Sequence, residues 1–74
     1  MNTATDTLTD SQYDTADAIE LWLEAHPGFH SASAIGRGVK VTTHEAKVVL
    51  EWMARNVFVL AAGNGAWTNW SSRR

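Results

Sequence analysis

Between residues 42 and 55 the chain carries Thr42, Thr43, His44, Lys47, Val48, Glu51 and Arg55, a mixture able to grip an anion or read a hydrogen-bonding edge. At 100° per residue, His44, Lys47, Val48, Glu51 and Arg55 fall on one face of a helix. A lysine on such a face can bind a phosphate or the acceptors of a guanine, and a valine can touch a thymine methyl. Thr42 and Thr43, beside the free N–H groups of a helix start, could hold a phosphate. Arg37 and Lys40 lie just upstream and suit backbone phosphates, and Arg73 with Arg74 could reach others as a tail. Each residue also has a plainer role. Lys47 and Glu51 form an i, i+4 opposite-charge pair on a solvated face. Thr42 is a natural helix cap, the terminal arginines favour solubility, and Glu51 would be repelled by phosphate.

Other chemistries find little support. The chain has no cysteine, so disulfides, thiolate metal sites and cysteine nucleophiles are excluded, as suits a reducing cytosol. His26 and His30 are four apart, but Pro27-Gly28 keeps them off a common helix face, and no further metal ligands suggest themselves. No glycine-rich phosphate loop, nucleophile elbow or paired-carboxylate cleft is present. The sequence therefore reads as a non-enzyme without metal or cofactor. Of the four tryptophans, Trp22 and Trp67 suit a core, Trp52 sits at the edge of an apolar helix face, and Trp70 could be partly exposed.

The charge is unevenly spread. Net charge is -2, yet residues 1–36 hold six acids and no lysine or arginine. Residues 37–74 hold all six bases against Glu45 and Glu51. The halves thus carry -6 and +4, an asymmetry that points to an electrostatic partner. The N-terminal residues lack the basic start and apolar run of a signal peptide, and no stretch approaches the roughly 20 apolar residues of a membrane span. A cytoplasmic protein without membrane contact is expected.

The elements that must position these residues follow from capping, periodicity and turn chemistry. Residues 1–8 read as a disordered tail. Thr9 with Gln12 forms a capping box for a first helix from about Asp10 to Ala25, with Ala16, Ile19, Trp22 and Leu23 inward and Asp10, Asp14, Asp17 and Glu24 outward. Pro27 and Gly28 end it. Phe29-His30 has room for a one- or two-residue strand. Ser31 or Ser33 caps a short helix that Gly36 and Gly38 curtail, and Val39-Lys40-Val41 forms the connection, one valine reaching the core. Thr42 with Glu45 opens the strongest helix, about Thr43 to Asn56, burying Ala46, Val49, Leu50 and Met53. A hairpin follows: Val57 to Leu60, a Gly63-Asn64-Gly65 turn, and Ala66 to Trp70, with Trp67 inward and Trp70 either inward or partly exposed. Residues 71–74 are a basic tail.

In this order of elements, and in the apolar spacing of Glu45 to Val59 (EAKVVLEWMARNVFV), residues 29–70 resemble the winged helix-turn-helix of small bacterial, archaeal and phage regulators. The W-M-A-R run is also similar to small winged-helix proteins of unknown function. The Z-DNA-binding winged helices share the spacing and a wing tryptophan, at Trp67, but their base-contacting Asn and Tyr fall on Lys47 and Glu51, so that specificity is not implied. The resemblance implies a mainly α fold of three helices with a two-stranded C-terminal wing, over residues 9–70. It implies duplex DNA as partner, the third helix in the major groove, and transcription regulation as the role. The alternative is a protein-interaction module of the same fold, favoured by a wing without Lys or Arg and by Glu51 and Val48. Leu21, on the acidic face of the first helix, and Tyr13 are the candidate contacts for a homodimer or another protein.

Overall fold

The computed structural model describes residues 8–73. The order is α1 (Asp10–Ala25), β1 (His30–Ser31), α2 (Ala32–Val39), α3 (Thr43–Arg55), β2 (Val59–Ala62), a 3-10 turn (Gly65–Trp67) and β3 (Asn69–Ser72). The three strands form one antiparallel sheet in the order β1-β3-β2. Three helices with this small sheet fit a winged-helix-like fold, with the β2–β3 hairpin as the wing.

The reciprocal capping box starts α1: Thr9 Oγ1 accepts from the Gln12 N–H, and Thr9 N–H donates to Gln12 Oε1. Ala16, Ile19 and Leu23 are buried on its inner face and Trp22 is half-buried. Residues 1–7 of the expected tail lie outside the described residues, but Leu8 does not behave as tail: it is buried in the core cluster. It precedes the cap, where an apolar side chain fixes the angle at which the chain enters a helix.

Gly36 and Gly38 do not curtail α2, which runs through both to Val39. Their missing side chains admit neighbours instead. A Cβ on Gly36 would meet the Val41 and Thr42 carbonyl oxygens at 3.0 and 3.2 Å, and one on Gly38 would collide with the Trp22 indole. That indole stacks on His26 (4.1 Å between centroids) and meets His30 edge-on. His26 and His30 come together across the Pro27-Gly28 turn, where each donates a ring N–H to a backbone carbonyl, of Trp22 and His26 respectively. Ser31 is the cap of α2, its Oγ accepting from Ala34 N–H. Lys40, at φ 65°, turns the chain out of the helix, and Val39 and Val41 are both half-buried against the core rather than one being fully inside.

The core is closed by α3, whose Ala46, Val49, Leu50 and Met53 are all buried against Ile19, Leu23 and Ile35. It ends as expected, with Asn56 as its C-cap, but the strand that follows starts two residues later than expected. Val57, expected to start a strand, sits at φ 65° with its N–H on the Ala54 carbonyl, while Phe58 N–H reaches the Met53 carbonyl. These two bonds are a Schellman ending, which normally places glycine at Val57's position. A β-branched residue is strained there, by about 1–2 kcal/mol. Val57→Gly is therefore expected to stabilise the domain by about 1 kcal/mol, raising Tm by roughly 4–8 °C in a thermal melt. An unchanged or lower Tm would show that the left-handed turn carries no strain.

The wing also differs from expectation. Its return strand begins at Asn69 rather than Ala66, because residues 65–67 coil into a 3-10 turn beyond Gly63. Gly63 (φ 96°) permits this, since a Cβ there would lie 2.5 Å from the Trp67 carbonyl oxygen. Trp67 is consequently 83% exposed rather than inward, and Trp70 is buried, the inward one of its two expected placements. Ser71 and Ser72, expected in the tail, belong to β3 and pair with Leu60 and Val59.

Candidate nucleic-acid interface

The connection between α2 and α3 is only Lys40 to Thr42, the three-residue turn of a helix-turn-helix. It leaves the starts of both helices beside the wing. Ser31, Ala32 and Ser33 of the α2 start, Thr43 and Lys47 of α3, and Gly65 and Thr68 of the wing loop surround one recess of about 230 Å³, with Trp70 also in its wall. Lys47 is half-buried, as expected of a lysine that lays its stem along apolar surface and keeps its ammonium in water. Arg37 is exposed outside the recess, but its Nη1 donates to the Oγ of Ser33, one of the lining residues, at 3.4 Å. Lys47, the Ser33 and Thr43 hydroxyls and the start of α3 thus converge from separate parts of the chain, with Arg37 tied to the edge of the recess through Ser33.

The other candidates distribute unevenly around this recess. Thr43 lines it, while Thr42 Oγ1 is committed to capping, accepting from Glu45 N–H at 3.0 Å. His44, Val48 and Glu51 are exposed on α3. Lys40 is exposed in the turn between the helices. Arg55 is exposed in the last turn of α3, eight residues from Lys47 and so about 12 Å further along the axis. Arg73 lies elsewhere, in a hollow with Glu20, Glu24 and Phe58, and Arg74 is outside the described residues. Tyr13 lines a groove with Trp52 and Phe58, whereas Leu21 is 68% exposed and lines no part of it.

In sequence the Gly63-Asn64-Gly65 wing reads as an uncharged tight turn whose backbone could approach a phosphate or a minor groove closely, and Thr68 gives no signal. The 3-10 turn, held by Trp67 N–H on the Asn64 carbonyl and Thr68 N–H on the Gly65 carbonyl, brings Gly65 and Thr68 to Lys47. Among the described residues no group of three or more His, Cys, Asp or Glu side chains is placed to hold a metal ion, and no helix is long and apolar enough to cross a membrane. No family model, curated protein or solved structure matches this chain.

Proposed function

We propose that this is a DNA-binding protein of the winged helix-turn-helix superfamily, acting as a small transcription regulator in the cytoplasm. The observation that carries the proposal is the convergence of Lys47, Thr43 and Ser33, with Arg37 bound to Ser33, at the recess between the helix-turn-helix and the wing. The α3 N-terminal half enters the major groove, with His44, Lys47 and Val48 toward base edges. Arg37, Lys40 and the hydroxyls hold the phosphates on either side. Lys47 has two chemistries available, a phosphate or the O6/N7 edge of guanine. The loop at Gly65 lets backbone approach the duplex closely where a longer side chain would hold it away. Arg55 adds long-range attraction, and Glu51 limits how deeply the helix seats.

A salt series with a fluorescently labelled mixed-sequence duplex tests this. About three neutralised phosphates give a slope of roughly -3 in log affinity against log salt, or about 50-fold weaker binding at 200 mM than at 50 mM. Absence of binding at the lowest salt, or binding indifferent to salt, would refute the proposal.

A further inference from the structure

On the surface between α1 and the C-terminal end of α3 there is a second feature, separate from the helix-turn-helix recess. Tyr13, Ala16, Asp17 and Glu20 follow one another at the i, i+3, i+4 and i+7 spacing that gathers them on one side of α1. Facing them are Trp52 and Met53 of α3 and Phe58 beyond it, leaving a groove of about 180 Å³. Its aromatic wall is pre-built. Tyr13 meets Trp52 edge-on with centroids 5.6 Å apart, and Phe58 stacks on Trp52 at 5.7 Å and 25°. A space of this size is enough for one benzene-sized group, for which about 150 Å³ suffices. Yet Tyr13 remains 39% and Phe58 48% exposed.

We infer that this groove docks a basic segment of another protein, one apolar side chain of which enters between Tyr13, Trp52 and Phe58 while its lysines or arginines meet Asp17 and Glu20. Charge selects the occupant. The groove's lining holds two carboxylates and no base, and Asp10, Asp14 and Glu24 extend the negative potential along the same helix. The adjoining hollow, which shares Glu20 and Phe58, is lined by an arginine of this chain, Arg73, together with Glu24. A symmetric second copy is disfavoured, because a two-fold contact through this face would set each row of acids against its own copy. Val57 adds an independent pointer. Its side chain is 57% exposed at the Phe58 end, in a left-handed conformation that glycine would adopt at less cost. Strain retained in an exposed apolar residue is explained when that residue makes a contact outside the chain.

The proposal does not depend on DNA binding, and its test is separate from it. A random-peptide phage library is selected on the full chain, and a synthetic copy of an enriched peptide is titrated into labelled protein by NMR. Enriched peptides are expected to carry one Leu, Phe or Trp with at least two Lys or Arg within four positions. Their binding is expected to move the Trp52 indole and the Glu20 and Phe58 amides, and to survive addition of duplex DNA. Asp17→Lys with Glu20→Lys should weaken it about tenfold or more, and Asp17→Asn with Glu20→Gln by an intermediate factor, with the circular dichroism of the folded parent retained in both. No enrichment, enriched peptides without a basic excess, shifts elsewhere on the surface, or insensitivity to these substitutions would overturn it. Groove signals that move with protein concentration alone would assign the face to a second copy instead.

Discussion

Trp70→Ala is expected to remove about 3–5 kcal/mol of stability, and Trp67→Ala less than about 0.5 kcal/mol, although both residues lie in the same hairpin. Trp70 is 3% exposed on the central strand, paired with His30 on one side and Ala61 on the other. Its removal leaves a cavity that a three-stranded sheet with strands of two to four residues cannot close by collapse. A domain of this length has only about 4–11 kcal/mol in total at typical stability per residue, so the loss is a large part of it. In a thermal melt the Trp70 variant should lose at least about 12 °C or fail to fold, and the Trp67 variant should track the parent. Equal losses at the two positions would mean that β3 pairs in another register.

The second large effect is electrostatic. Arg37→Glu combined with Lys47→Glu is expected to weaken duplex binding about 30- to 100-fold, while Arg73→Glu changes it less than about twofold. Each reversal at the recess replaces attraction to a phosphate with repulsion. Arg73, by contrast, lines a separate hollow with Glu20 and Glu24 and no part of the recess. Arg37 and Lys47 are not in the core, so both variants should fold, and circular dichroism of the parent and variants provides the control. If the Arg73 reversal proved as damaging as the recess pair, binding would reflect overall charge rather than a defined face.

Local signals made the helices legible. The Thr9–Gln12 box and Pro27 bracket α1, and the apolar period of α3 picks out the four residues that it buries, because capping and periodicity act within a few residues of one another. The wing was not legible in the same way. Ala66 to Trp70 alternates like a strand, but Gly63 and the 3-10 turn delay β3 by three residues. Trp67 is thereby left in the turn, outside the strand and exposed, while Trp70 takes the inward position on β3. Val57 and Phe58 look like strand residues because β-branched and aromatic side chains favour strands, yet hydrogen bonds back to Ala54 and Met53 hold them in a helix ending.

The candidate site shows the same division. Thr43 and Lys47 are one helical turn apart, and so could be placed together from their spacing alone. Their meeting with Ser33, Gly65 and Thr68 depends on how α2 and the wing pack on α3, which no short-range pattern records. The acidic groove was half visible. Tyr13 stands out in sequence as a surface aromatic, but its partners Trp52 and Phe58 are about 40 residues away, and Leu21, nearer in sequence, takes no part.

The central claim is that the helix-turn-helix and wing form a duplex-binding face, and NMR titration of labelled protein with a mixed-sequence duplex at low salt tests it most directly. The amides of residues 31–33, 43–48 and 65–68 and the Arg37 side chain should shift together, with Tyr13, Trp52 and Phe58 unmoved. Spectra unchanged by DNA, or shifts confined to the acidic groove, would contradict it.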